Sequence, residues 1–135
     1  MSSPSRPPRW LSRRIVIALH EESLARFGGR TGIRDEGLLE SALERPRNMY
    51  AYGDETNVAT LAAGYGFGLA RNHPFIDGNK RAALLAVAIF CSLNGVRFSP
   101  SQADEVRVFT SLAAGELTEA QLADWIMENS SVPVH

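Results

Sequence analysis

The chain has 135 residues, with fourteen basic and fifteen acidic side chains for a formal net charge of −1. That length suits one domain with a sizeable core, and near neutrality gives no support for nucleic acid or a membrane surface as partner. Its single cysteine excludes an intrachain disulfide, and its longest wholly apolar run, ten residues, is half of the ~20 that span a bilayer.

Residues 1–9, rich in Ser, Pro and Arg, read as an arm without regular structure, followed by one domain over 10–129 and a short tail over 130–135. Arginines in the arm could touch nucleic acid, but solvated charges explain them as well. No apolar stretch follows them in the manner of a secretion leader, so a cytoplasmic protein is expected. Ser12 is placed to cap a first helix running to Phe27, with Gly28 and Gly29 as its stop. His20 lies on that helix and is assigned no chemistry. Asp35 caps a second helix through Leu38, Leu39, Ala42 and Leu43, which Pro46 is expected to end.

The connection over 45–55 carries Tyr50 and Tyr52 in alternation, consistent with a short extended flap closed by Gly53 and Asp54. The two tyrosines could equally cover the edge of the core. A third helix is expected from Asn57 to Asn72, with Val58, Leu61, Ala62, Tyr65 and Leu69 on its apolar face. Gly64, Gly66 and Gly68 each weaken it by up to ~1 kcal/mol relative to Ala, so close packing against another helix should compensate. Arg71, near its end, could contact a phosphate or a target, or simply favour the helix C-terminus.

The nonapeptide HPFIDGNKR, from His73 to Arg81, carries the most chemistry. Pro74 pushes the preceding residue out of helical space, so the third helix should end at His73. From Asp77 or Gly78 a fourth helix begins and runs to about Asn94. It is apolar on nearly every face and is expected to be central and buried. A helix start leaves unpaired N–H groups and a partial positive charge, which together suit an anion.

Gly78 lets a ligand approach the backbone of Gly78 and Asn79, and Lys80 and Arg81 add full charges. Asp77 can hold Mg²⁺ against phosphate oxygens, because that ion takes one or two carboxylates and fills its shell with phosphate and water. His73 supplies a base able to take a proton from a hydroxyl. The pattern points to phosphoryl or nucleotidyl transfer. Singly, each residue has a plainer role: a cap for His73 or Asp77, solvated charge for Lys80 and Arg81. The plain roles leave unexplained why two cations occupy a first turn, where the macrodipole prefers anions. Lys80 is also the only lysine in the chain.

A brief extended piece is expected at Val96–Phe98. Ser101 and Asp104 open a fifth helix through Val106, Phe109 and Leu112, and Thr118 with Gln121 forms a capping box for a sixth carrying Leu122, Trp125 and Ile126. The fold class expected is all-α, a bundle of about six helices.

HPFIDGNKR resembles the signature of Fic-fold proteins, His-x-Phe-x-Asp/Glu-Gly-Asn-Gly-Arg-x-x-Arg, and more closely the Doc (death-on-curing) toxin branch, which has Asn-Lys-Arg there. Lys80 stands where the Fic form has its second Gly, and Leu84 where it has its second Arg. Stretches 18–43 and 113–126 and the LNGV around Gly95 are similar to Doc sequences too. The resemblance implies a Fic fold using ATP and Mg²⁺, with His73 as base, Asp77 as metal ligand, and Gly78, Asn79, Lys80, Arg81 and Arg71 around the phosphates. It also implies a flap beside the motif, here Tyr50 and Tyr52, that aligns the target by strand-like pairing.

With Lys80 filling the phosphate nest, the resemblance implies a nucleotide bound in reverse, its γ-phosphate toward His73. The products would be a phosphorylated Ser or Thr of elongation factor Tu, arrested translation, and a type II toxin held by an antitoxin of the Phd type. No inhibitory Ser/Thr-x-x-x-Glu-Gly/Asn motif is found in the chain, which leaves control to a partner in trans. AMP transfer by the same residues, or a binding module that has lost turnover, are the competing expectations.

Overall fold

A computed structural model describes residues 7–132. Six helices follow one another: α1 (Arg13–Phe27), α2 (Glu36–Gly53), α3 (Val58–Asn72), α4 (Asn79–Leu93), α5 (Gln102–Ala113) and α6 (Glu119–Glu128). Five of them start where a short polar side chain closes the first turn. Ser12 accepts from Ile15 N–H, Asp35 from Leu38, Asn57 from Thr60 and Ser101 from Asp104, while Thr118 and Gln121 make the reciprocal capping box. The mostly helical architecture expected from the sequence is the one observed.

The expected extended piece is β1 (Arg97–Phe98), which pairs antiparallel with β2 (Ser130–Ser131). Ser130 and Ser131, expected in the tail, are therefore tied into the fold. Of the expected arm, residues 1–6 lie outside the described residues, and the main chain of Arg9 exchanges two hydrogen bonds with the Asn94 side chain, at 2.8 and 3.1 Å.

Two expectations are corrected. Pro46 does not end α2, which continues to Gly53, and the segment carrying Tyr50 and Tyr52 is helical rather than an extended flap. The physical reason is packing. A Cβ at Gly64 would lie 3.3 Å from Pro46 Cβ and 3.0 Å from Met49 Sδ, so α3 brings a bare backbone against this turn of α2. Burial of Pro46 and the flanking Leu43 and Met49 outweighs the amide that proline lacks. Inward positions 39, 42, 43, 46, 49 and 50 keep helical spacing, and Tyr52 points outward, 86% exposed.

The second correction concerns the centre of the bundle. Ten of the fifteen residues of α3 are buried, against six of fifteen in α4. The most enclosed helix is thus α3, and its glycines explain why. Gly68 passes Ala42 of α2, Gly64 passes Pro46, and Gly66 turns to Val87 of α4 and Leu122 of α6, each too close for a Cβ without a shift. The cost of three helical glycines is offset by contact on several sides, as the sequence required. Cys91 sits in this core, where burial pushes its thiol up to about 12 from 9.0.

Packed side by side, α3 and α4 fix the segment that joins them. The C-terminus of α3 and the N-terminus of α4 open at the same end of the bundle, and residues 73–78 link the two.

Candidate active site

His73 is the C-cap of α3 and takes a left-handed backbone, φ 49° and ψ 56°, which lifts its imidazole out of the helix line. Arg34 holds that turn by donating from Nε to His73 O at 2.7 Å and from Nη2 to Asn72 O at 2.8 Å. A cation on the last carbonyls of a helix also complements its dipole. Asn72 in turn donates to Leu38 O at 3.0 Å, so the end of α3 is anchored to α2. The imidazole itself remains exposed.

After Pro74 the chain pairs with the segment that follows α1. Ile33 and Phe75 form an antiparallel bridge, flanked by Arg34 N–H to Pro74 O at 2.7 Å and Ile76 N–H to Gly32 O at 3.0 Å. In a pair of this non-hydrogen-bonded kind, the N–H and C=O of Ile33 itself point away from Phe75. Asn79 closes the loop from inside, accepting from Phe75 N–H at 2.9 Å and donating to Phe75 O at 3.0 Å. Its side chain is thereby committed, and what it can offer a ligand is its main-chain amide.

Asp77 accepts from Gly78 N–H at 2.9 Å through Oδ1 and from Arg30 N–H at 3.2 Å through Oδ2. Gly29 makes the second contact possible. Its φ is 126°, and a Cβ there would stand 3.1 Å from Asp77 Oδ2 and 2.7 Å from a Leu24 methyl. Each carboxylate oxygen keeps a second lone pair for another partner. Gly78 has φ 76°, caps α4 without any side-chain hydrogen bond, and leaves the amides of Asn79, Lys80 and Arg81 without a partner inside the helix.

These groups face one cleft of about 740 Å³ between the start of α4 and the side of α5. His73, Asp77, Gly78, Asn79, Lys80 and Arg81 line one wall; Gln102, Glu105, Val106, Phe109 and Thr110 line the other. Ile76 and Leu84 extend the apolar part. A polyanion can therefore meet amides and cations at one side while a flat apolar group rests on the other. Lys80 and Arg81 make no ion pair among the described residues, and the Arg81 guanidinium lies over the Phe27 ring at 3.9 Å from its centroid.

Six of the sequence-predicted residues are brought together and three are not. Arg71 stacks on Phe67 at 5.3 Å and approaches the turn at Gly115, outside the cleft lining. Tyr50 packs edge-on against Trp10, which stacks on Phe90 in the last turns of α4, far along the helix from the motif. Tyr52 points to solvent on α2. The strand-like neighbour of the motif is the segment at 32–34, which sequence reasoning passed over.

The α5 wall was missed as well. Val106, expected only as part of the fifth helix, is 61% exposed and lines the cleft.

A mostly helical bundle that presents His73, Asp77, Lys80 and Arg81 at the joint between two helices defines a class, and comparison with known proteins identifies it. The model of the Fic/DOC family matches residues 10–91. The chain belongs to that family. A protein of Escherichia phage P1 named "Protein kinase doc" is 36% identical over 118 residues, covering 86% of this chain and 91% of its own length. A protein of Mycolicibacterium smegmatis named "Toxin Doc" is 40% identical over 74 residues, 54% of this chain and 57% of the relative. Both names place the chain in the Doc branch of the family, as its Asn-Lys-Arg motif foretold.

Proposed function

We propose that this protein is a toxin that transfers the γ-phosphoryl group of ATP to a Ser or Thr hydroxyl of a protein. The observation that carries this is the start of α4: three amides without a partner inside the helix and two cations without an ion pair among the described residues, facing a cleft that also holds an exposed imidazole. The name of the phage relative supports a kinase over other transferases.

His73 takes the proton as the hydroxyl oxygen attacks the γ-phosphorus. The bond from that phosphorus to the β,γ-bridging oxygen breaks, and ADP leaves. Amides of Asn79, Lys80 and Arg81, with the two side-chain cations, hold the phosphates and the charge that spreads over them. Asp77 fits one place in a Mg²⁺ shell, since its oxygens retain lone pairs. Among the described residues no cluster of three or more potential ligands exists, so phosphate and water oxygens would have to complete the shell. That ion, when bound, would neutralise charge on the phosphates. Ile76, Leu84, Val106 and Phe109 offer the apolar surface for a base.

The target segment lies along the free edge of Ile33, whose N–H and C=O face outward beside the motif. This replaces the expected role of Tyr50 and Tyr52. By likeness to the Doc branch the target is elongation factor Tu, the cell is arrested in translation, and an antitoxin of the Phd type silences the protein in the cytoplasm.

The test is incubation of elongation factor Tu with the protein, Mg²⁺ and ATP labelled at the α- or the γ-position, beside His73→Ala. Label from the γ-position alone, lost with His73→Ala by about a thousandfold or more, supports the reading. Label from the α-position would establish AMP transfer, and cell killing that survives His73→Ala would leave a binding module.

A further inference from the structure

We infer that His20, a residue of α1 outside the cleft, is a positioning residue for the reaction at His73: it holds the Asp77–Gly78 peptide with its carbonyl turned away from the phosphates. The inference rests on the proposed reading of the cleft as a nucleotide site. His20 and Ser23 are the buried polar residues of the described chain, and His20 is only 2% exposed. Its Nε2 lies 2.7 Å from Asp77 O. A carbonyl can only accept, so Nε2 is the donor, which places the hydrogen of a neutral ring on Nε2. The same ring lies flat on Phe75, with centroids 3.8 Å apart and planes 8° apart.

One buried side chain thus grips the loop at two points, the Phe75 ring and the Asp77 carbonyl. The consequence falls on the N–H of the same peptide and on the amides that follow it. With Asp77 O held by His20, Gly78 N–H turns to Asp77 Oδ1 at 2.9 Å and the amide row of α4 follows. Gly78 is conformationally permissive, so without the donor the peptide can rotate and direct its carbonyl at the anion. That would place partial negative charge among phosphate oxygens. A purely structural residue here need only fill space, which an apolar ring does as well.

Two variants separate the roles. His20→Phe keeps a flat ring on Phe75 and removes the donor, whereas His20→Gln carries an amide N–H at about the reach of Nε2. Compared at equal folded fraction with Mg²⁺-ATP, His20→Phe should bind nucleotide about tenfold more weakly, equivalent to ~1.4 kcal/mol, and transfer more slowly. His20→Gln should stay within about threefold of the unmutated chain in both. Equal behaviour of the two variants overturns the inference. Should His20→Phe fail to fold, His20→Leu takes its place.

Hydrogen exchange of the Gly78 and Arg30 amides, measured without nucleotide, keeps this separate from the reading of the site. If the unmutated chain neither binds nor transfers, that reading fails. Faster exchange in His20→Phe than in His20→Gln then still supports the hold on the peptide, and identical exchange refutes it.

Discussion

Helices α1 and α4 open with similar charge and dispose of it differently. Arg13 and Arg14 occupy the first turn of α1, as Lys80 and Arg81 occupy that of α4. At α1 the conflict with the helix dipole is eased inside the protein, because Ser12 caps the turn at 3.1 Å and Arg13, though not Arg14, pairs with both oxygens of Glu36 at 2.8 and 2.9 Å. At α4 there is no side-chain cap, no acid in the first turn and no ion pair to either cation among the described residues. Two cations at a helix start therefore do not mark an anion site by themselves. What distinguishes the proposed site at α4 is that, among the described residues, neither cation is paired and no side chain caps the amides beside them.

The sharpest way to break this comparison is to delete both pairs. Lys80→Ala with Arg81→Ala should weaken Mg²⁺-ATP binding by about a hundredfold or more, since each charge-assisted bond is worth ~1.5–3 kcal/mol. Arg13→Ala with Arg14→Ala should leave it within about twofold. Titration calorimetry reads both, and equal losses would show that α4 is not the phosphate site.

Caps sharpen the same contrast. Thr118→Ala removes the capping box of α6 and should cost ~1 kcal/mol of stability with nucleotide affinity untouched. Gly78→Ala places a side chain at φ 76° and 3.2 Å from a Leu24 methyl. It should also cost ~1 kcal/mol, yet reduce affinity severalfold, because the strained residue begins the amide row. Urea unfolding beside calorimetry distinguishes the two, and a Gly78→Ala protein with full affinity would mean that the exact turn at 78 is not needed.

The contrast also shows what could be read from sequence. Caps are local, three or four residues wide, so Ser12, Asp35, Asn57, Ser101 and Thr118 announced five helix starts, and the chemistry of residues 73–81 pointed to the candidate site. Packing between distant segments is not local. Pro46 read as a stop because its cost is visible in the chain, while the compensating approach of Gly64 is visible only in three dimensions. Spacing at 39, 42, 43, 46, 49 and 50 did carry the answer, but two alternating tyrosines pointed the other way. Nothing near His20 or Val106 in the sequence tells that one lies under the motif and the other across the cleft from it.

The smallest expected effect tests the direction of the trade at Lys80. A cation in the first turn opposes the macrodipole, so Lys80→Gln should stabilise the nucleotide-free protein by ~0.3–1 kcal/mol. Arg13→Gln relieves a similar repulsion but loses an exposed pair with Glu36 worth no more, and should change stability little. Saturating Mg²⁺-ATP reverses the order at α4: binding adds RT ln(1 + [L]/Kd) to each chain, and more to the one with the smaller Kd, which is the chain with Lys80. Urea midpoints with and without nucleotide should therefore cross for Lys80→Gln and stay parallel for Arg13→Gln. A Lys80→Gln protein less stable in both conditions would place the lysine in the fold's own packing, and the difference between α1 and α4 would no longer need a ligand to explain it.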